Sequence, residues 1–115
     1  MVVLIDDDDD FRTALAANLA DDGYAVVHFA RPIDVPPLAS MERLSMLIID
    51  YQLRGEDGLA FADRFHGTHP DVPVVILTAY WSEHLDAAVA MRDFITLRRK
   101  PVRYEELAKL LPVRA

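Results

Sequence analysis

Residues 2–10 read VVLIDDDDD, a short apolar run followed directly by five aspartates. Four aliphatic residues in succession are typical of a strand that is buried on both faces of a parallel sheet. The first carboxylates must then lie at the carboxyl end of that strand. Carboxylates that are crowded together raise one another's pKa values unless a cation neutralises them. The stretch therefore predicts a buried strand that ends in a cation site.

The composition of the 115-residue chain limits its class. An apolar share of 52% with 27% charged residues is typical of a globular protein, and the length suits one domain, predicted over residues 1–115. Twelve basic against 19 acidic residues give a net charge of −7, which argues against direct binding of nucleic acid or of an anionic membrane surface. The absence of cysteine excludes disulfides and thiolate metal sites. Without a signal-type start or an apolar run of roughly 18 residues, a cytoplasmic protein with no membrane span is expected.

Short apolar runs alternate with helix-like segments, which predicts βαβ units and a parallel sheet in an α/β three-layer sandwich. Strands are predicted at residues 2–5, 25–29, 46–49, 74–77 and 94–97. Helices are predicted from within 8–10 to Gly23, and at 58–66, 82–91 and 103–111, with a helix stop and tail at 111–115.

The segment between the second and third strands departs from this pattern. Pro32, Pro36 and Pro37 exclude a regular helix over its first half, because proline removes a hydrogen-bond donor and clashes with the preceding turn. Any helix there must be short and late, around residues 38–44. The second crossover is therefore predicted to be irregular.

Five polar side chains follow the predicted strands. Asp6 and Asp7 end the first strand, Asp50 the third and Thr78 the fourth, and Lys100 comes after the fifth. In an open parallel sheet, ligands bind outside the carboxyl ends of the strands. The five side chains are therefore expected at one edge of the sheet.

These residue types are the parts required for phosphoryl transfer to a carboxylate. Asp6 and Asp7 would hold a hard divalent cation such as Mg²⁺, which prefers oxygen ligands. Asp50 would be the nucleophile. Lys100 and the hydroxyl of Thr78 would contact the phosphoryl oxygens. Because the metal and the lysine neutralise charge on the transferring group, they supply most of the catalysis.

Four motifs occur in order: VVLIDDDDDFR at 2–12, MLIIDYQLRGEDGL at 46–59, VVILTA at 74–79 and RKP at 99–101. With these motifs the chain resembles the response-regulator receiver domains of two-component signalling, the CheY-like superfamily, over nearly its whole length. The resemblance implies a flavodoxin-like fold with a five-stranded parallel sheet in the order 2-1-3-4-5.

The resemblance also implies the chemistry. Asp50 would accept a phosphoryl group from a sensor histidine kinase or phosphotransfer protein, with Mg²⁺ or Mn²⁺ as cofactor. The metal site would consist of Asp6, Asp7, Asp50 and the backbone carbonyl of Gln52. The protein would be a phosphoacceptor switch and not a turnover enzyme. It would act on a downstream protein through the face around the last strand, as a monomer or a phosphorylation-dependent dimer.

The chain departs from the family pattern at several positions, including Asp93-Phe94, where a Gly-Ala pair is usual before the fifth strand. Leu97, three residues before Lys100, stands where the family usually carries an aromatic side chain that turns inward on activation. Thr78 and Leu97 are the predicted switch residues, and this pair therefore lacks the aromatic ring that is usual at position 97. Arg54 stands where a proline is usual in the loop after the phosphoacceptor, which indicates a divergent surface. The pattern also implies a cis peptide bond between Lys100 and Pro101.

Two alternatives remain open on sequence grounds. A receiver-like interaction module that never uses phosphate is favoured by Leu97 alone. A haloacid-dehalogenase-type phosphatase would use Asp6 as nucleophile and Asp8 as acid and base, but it would leave Asp50 without a role. Label on Asp6 instead of Asp50 would identify the phosphatase.

Overall fold

The computed structural model describes residues 1–112, in which the five apolar runs form one parallel sheet. The strands are β1 (Val2–Ile5), β2 (Val26–Phe29), β3 (Met46–Asp50), β4 (Val74–Thr78) and β5 (Ile95–Arg99). Their order in the sheet is β2-β1-β3-β4-β5, and every neighbouring pair is parallel. The predicted order 2-1-3-4-5 is confirmed. The part of the predicted tail beyond Pro112 lies outside the described residues.

The central strands are the ones that lack polar alternation in the sequence. Every residue of β1, β3 and β4 is buried, whereas the edge strands β2 and β5 are partly exposed. Both faces of the central strands are covered, so every position in them favours an apolar side chain. At Asp50 and Thr78 the burial continues to the strand end, and there it includes polar groups.

Helices connect and cover the strands. They are α1 (Asp9–Asp21), α2 (Gly58–Thr68), α3 (Glu83–Ala90) and α4 (Tyr104–Ala108). Asp8, Asp57 and Ser82 cap the first three by accepting hydrogen bonds from backbone amides of the first turn. The last helix is shorter than the predicted 103–111, because the amides of residues 110 and 111 bond to carbonyls three residues back and the α-helical pattern stops.

The helices enclose two hydrophobic clusters, one on each face of the sheet, to which alternate residues of β1 contribute. On one face the cluster includes Leu15 and Leu19 of α1 and Leu107 of α4. On the other it includes Phe61 and Phe65 of α2, both almost fully buried. The predicted three-layer arrangement is confirmed. No helix within residues 1–112 combines the length and the apolar character that crossing a bilayer requires.

The second crossover contains two 3-10 turns, Pro32–Asp34 and Leu38–Ser40, and no α-helix. The helix predicted at 38–44 is therefore wrong beyond its first turn. The backbone becomes extended at Met41, and Arg43 adopts the left-handed conformation with φ 57°, so the helical path cannot continue. The prediction of an irregular crossover is confirmed.

A short hairpin that the sequence did not predict follows β3. Gln52–Leu53 pairs antiparallel with Glu56–Asp57, and Gly55 supplies the positive φ of 89° in the turn. The amide of Gly58 then donates to the carbonyl of Tyr51 at 2.7 Å. The hairpin thereby brings the start of α2 against the end of β3.

Candidate functional site

Three carboxylates converge where β1 and β3 end side by side. Asp6 follows β1 and Asp50 is the last residue of β3, and the two strands pair in register up to Ile5 and Ile49. Carboxylate oxygens of Asp6, Asp7 and Asp50 all lie within 4.8 Å of one another. Asp6 is 0% exposed, Asp50 is 8% exposed and Asp7 is half-buried. We call Asp6, Asp7 and Asp50 the acidic site.

Lys100 reaches the acidic site from the segment after β5. Its Nζ donates to Oδ2 of Asp6 at 2.8 Å and lies 3.5 Å from Oδ2 of Asp50. The Nζ of Lys100 also lies over the ring of Phe11, 4.5 Å from its centroid. The peptide bond between Lys100 and Pro101 is cis, as predicted. The ammonium is therefore held by two carboxylates and an aromatic face.

The crowding changes the proton affinities of two groups. Burial raises the pKa of Asp50; Lys100 opposes that increase, while Asp6 and Asp7 add to it. Burial alone would lower the pKa of Lys100, but the hydrogen bond and charge of Asp6, together with the charge of Asp50, raise it overall. Lys100 therefore keeps its positive charge. Three carboxylates against one ammonium leave the site with excess negative charge that suits a divalent cation.

The raised pKa of Asp50 predicts a pH dependence of stability in the metal-free protein. The folded state holds this proton more tightly than the unfolded chain, so the stabilising contribution is complete below the ordinary value of 3.8. It is lost as the pH rises from there through the raised pKa. Asp50→Asn should remove this loss, so the variant should gain stability relative to wild type between acidic and neutral pH. Urea denaturation in chelator across that range measures the difference, and parallel curves for the two proteins would contradict it.

The fourth strand brings Thr78 to the same edge, but its hydroxyl is engaged elsewhere. Thr78 is 0% exposed, and its Oγ1 donates to the carbonyl of Tyr80 at 2.8 Å and accepts from the amide of Tyr80 at 3.1 Å.

The amide of Gln52 approaches Oδ1 of Asp50 at 3.4 Å. Leu97 is half-buried in β5 and packs against the cluster that includes Phe61.

Sequence reasoning missed two residues that support the site, Phe11 and Arg12. Arg12 donates through Nη1 to the backbone carbonyl of Asp6 at 2.8 Å and through Nε to Nδ1 of His28 at 3.1 Å. The same Nη1 lies 2.7 Å from Oδ1 of Asp9. A helix that begins directly after the strand places its first turn beside the strand end. That register is the signal by which both residues could have been found.

The remaining aspartates of the run lie at the start of α1. Asp8 accepts from the amide of Phe11 at 3.1 Å and caps α1, and Asp9 and Asp10 lie in the first turn. All three are exposed. Negative charge at this helix end is favourable because of the helix dipole. Asp8, which the phosphatase alternative requires as acid and base, is thus occupied as a helix cap.

A sequence model of the response regulator receiver domain family matches residues 2–112. The chain belongs to this family. It is therefore a receiver domain of two-component signalling. Membership of this family supports the role of a phosphoacceptor switch. Members of the family interact with histidine kinases or phosphotransfer proteins.

Two regulators to which the chain is similar are much longer than it is. The receiver domain is 31% identical over 110 residues to the cyclic di-GMP phosphodiesterase response regulator RpfG of Xanthomonas campestris pv. campestris, and the match covers 92% of this chain but 29% of RpfG. It is 33% identical over 90 residues to the DNA-binding transcriptional regulator NtrC of Escherichia coli, covering 78% of this chain and 19% of NtrC. The chain thus spans less than a third of these relatives.

A solved structure shows the same fold with a modified aspartate. The crystal structure of a response regulator protein from Burkholderia pseudomallei contains a phosphorylated aspartic acid, a calcium ion and citrate. The receiver domain matches it with a TM-score of 0.83 and 28% identity, over 96% of this chain and 65% of that chain. The comparison confirms the predicted receiver fold.

Proposed function

We propose that Asp50 accepts a phosphoryl group from a phosphohistidine of a sensor kinase or phosphotransfer protein. The observation that carries the proposal is the acidic site, whose oxygens lie within 4.8 Å of one another while the ammonium of Lys100 contacts it. Phosphoryl transfer depends mainly on positioning and on charge neutralisation, and this arrangement provides both. The phosphorylated aspartic acid of the Burkholderia pseudomallei structure supports the same chemistry here.

The geometry favours Asp50 over Asp6 as the nucleophile. Both carboxylate oxygens of Asp6 are engaged, Oδ1 by the amide of Asp8 at 2.9 Å and Oδ2 by Lys100 at 2.8 Å. Asp50 has the longer contacts of 3.4 Å and 3.5 Å, and its side chain keeps 11% of its surface exposed. Asp50 therefore offers free lone pairs to an incoming phosphorus atom. The phosphatase alternative, which needs Asp6 for attack, is disfavoured.

The acidic site has the oxygen donors that Mg²⁺ or Mn²⁺ requires. Asp7 makes no hydrogen bond with another residue in 1–112, so we propose it as the direct ligand, with Asp50 and the backbone carbonyl of Gln52. Asp6, whose oxygens are engaged, would contribute through water. When bound, the cation neutralises charge on the phosphoryl oxygens.

Lys100 and Thr78 would hold the phosphoryl group once it is on Asp50. The charge of Lys100 is secured by Asp6, and its 3.5 Å separation from Asp50 leaves it within reach of a phosphoryl oxygen. To donate to that group, the hydroxyl of Thr78 must leave the carbonyl of Tyr80. The turn after β4 would therefore rearrange on phosphorylation.

That rearrangement would change the face formed by α3, β5 and α4, which we propose as the output surface. Leu97 lies in β5 and packs inward without an aromatic ring, so the signal would depend on the turn after Thr78 more than on a rotating side chain. Four further statements stay predictions. They are that the chain acts on a downstream protein, that it is a monomer or a phosphorylation-dependent dimer, that it is cytoplasmic, and that residues 1–115 form a single domain.

Mapping the modified residue tests the proposal. The chain is incubated with acetyl phosphate and either Mg²⁺ or chelator, and the product is analysed by intact mass and peptide mapping after reduction of the acyl phosphate with borohydride. We expect one phosphoryl group on Asp50 that requires the metal. Label on Asp6 would establish the phosphatase alternative. No label under any condition that modifies a known receiver would establish the phosphate-independent module.

Asp7→Asn should abolish most Mg²⁺ binding without unfolding the protein. Loss of a direct ligand is expected to cost at least the roughly 10- to 100-fold in affinity that removal of an outer-shell partner costs. The variant also removes one of three mutually repelling carboxylates, so its metal-free form should be at least as stable as wild type. Calorimetric titration with Mg²⁺ measures the affinity. Asp10→Asn, which changes the same charge on the exposed helix turn, should bind as wild type does, and an equal loss in both would contradict the assignment.

A further inference from the structure

A cavity lies apart from the acidic site, between the 3-10 turn after β2 and the hairpin after β3. Its volume is about 590 Å³, and three arginines line it: Arg31, Arg54 and Arg64. Glu56 and Ile33 also line the cavity. Basic side chains are outnumbered in this chain, whose net charge is −7. A pocket with three of them is therefore a local exception, which we call the arginine cavity.

The guanidinium groups of Arg31 and Arg54 are the more available to a partner, whereas Arg64 is held by Glu56, whose side chain is 21% exposed. Arg31 faces Asp34 at 3.4 Å and Arg64 faces Glu56 at 2.7 Å, with both arginine side chains more than half exposed. Exposed ion pairs contribute little and exchange readily with other carboxylates. Arg54, at the position where the family usually has proline, makes no hydrogen bond or ion pair with any other residue of 1–112.

The cavity also presents an apolar side chain from a fixed backbone. Ile33 is 81% exposed, which is unusual for an isoleucine, and it follows Pro32, whose burial anchors the 3-10 turn. The guanidinium of Arg64 lies 5.1 Å from the centroid of the Phe61 ring, which limits its movement. A rigid apolar group beside oriented cations matches a ligand that carries both apolar and acidic groups.

We propose that the arginine cavity is a docking site for an acidic, partly apolar segment of a partner protein. Arginine pairs with carboxylate and phosphate groups in a two-point geometry that lysine cannot reproduce, so the cavity suits acidic groups. At physiological ionic strength charges are screened beyond about 8 Å. The local arginines, and not the net charge of −7, therefore decide what binds.

Other anionic partners fit the cavity less well. A nucleic acid would meet the negative charge of the rest of the surface, and neither base-stacking aromatics nor lysines line the cavity. A small anion would leave Ile33 exposed. Docking of such a segment buries Ile33 against an apolar residue of the partner and does not depend on phosphorylation of Asp50, so this proposal stands apart from the proposed function.

The test is a titration of the isotope-labelled full chain with a synthetic helical peptide of glutamates and leucines, followed by amide NMR shifts. We expect saturable shifts of the amides of Arg31, Ile33 and residues 54–56, in wild type and in Asp50→Asn alike. Arg54→Glu should weaken binding about tenfold, the loss expected from one charge-assisted contact. Ile33→Ser should also weaken it, whereas Met91→Ser, at an apolar residue that is 86% exposed on another surface, should not.

Arg103→Glu is the matched charge control, because its side chain is 82% exposed and lies at the start of α4. It should leave the peptide affinity within about twofold of wild type. A tenfold loss in this variant would show that the affinity for the peptide depends only on the net charge of the chain, and it would overturn the proposal. Absence of saturable shifts in the cavity would overturn it too. Shifts there with inorganic tripolyphosphate but not with the peptide would assign the cavity to small phosphoanions instead.

Discussion

Asp50→Asn is expected to abolish the uptake of a phosphoryl group from acetyl phosphate in the presence of Mg²⁺. An amide has the size of the carboxylate but cannot form an acyl phosphate, and the charge contact between Lys100 and Asp6 is left in place. The substitution also removes a carboxylate whose pKa burial has raised, so the metal-free variant should be no less stable than wild type. Intact mass spectrometry after identical incubations measures the result.

Asp10→Asn serves as the control for that experiment, because it is an exposed aspartate of the same run with no place in the acidic site. It should be modified at the rate of wild type. If Asp50→Asn still gains one phosphoryl group, another residue is the acceptor and the central proposal fails. Because stability is measured on the same samples, a loss of modification caused by unfolding would be recognised.

Gly58→Ala is expected to destabilise the protein by about 1–3 kcal/mol and to slow phosphorylation of Asp50. A Cβ at Gly58 would lie 2.3 Å from the carbonyl oxygen of Asp50 and 2.9 Å from the Cα of Tyr51. Both are backbone atoms at the end of a fully buried strand, so they cannot rotate away as a flexible side chain could. The start of α2 or the end of β3 must shift, and the shift displaces the acceptor carboxylate. Urea denaturation and phosphorylation rates measure the two effects.

Gly67→Ala is the matched control, since it makes the same change in the same helix. A Cβ there has no atom within 4 Å, and a helix interior prefers alanine to glycine by roughly 0.5–1 kcal/mol. This variant should therefore be more stable than wild type and should be phosphorylated at an unchanged rate. Equal destabilisation by both substitutions would show that close approach to Asp50 is not the cause.

The sequence predicted the sheet and the residues at its edge correctly for one physical reason. Strands buried on both faces must be apolar throughout, so β1, β3 and β4 appear as continuous aliphatic runs, and the residue that ends each run lies at a common edge. Elements with weaker local signals were predicted less well. The helix at 38–44 is one 3-10 turn, and the hairpin of Gln52–Leu53 with Glu56–Asp57 was not anticipated. Two-residue strands carry too little periodicity to be recognised.

By itself, the sequence determined the order of strands and helices along the chain and the acidic residues and Lys100 that follow the strands, because both depend on the positions of the apolar runs. It also determined the irregular second crossover, because that depends on proline. Only the tertiary structure decided that Lys100 contacts Asp6 more closely than Asp50, and that the Thr78 hydroxyl bonds to Tyr80. It also decided that Arg31, Arg54 and Arg64 share one cavity. These features join side chains up to 94 residues apart or depend on which rotamer a side chain adopts, and neither is encoded in a local pattern.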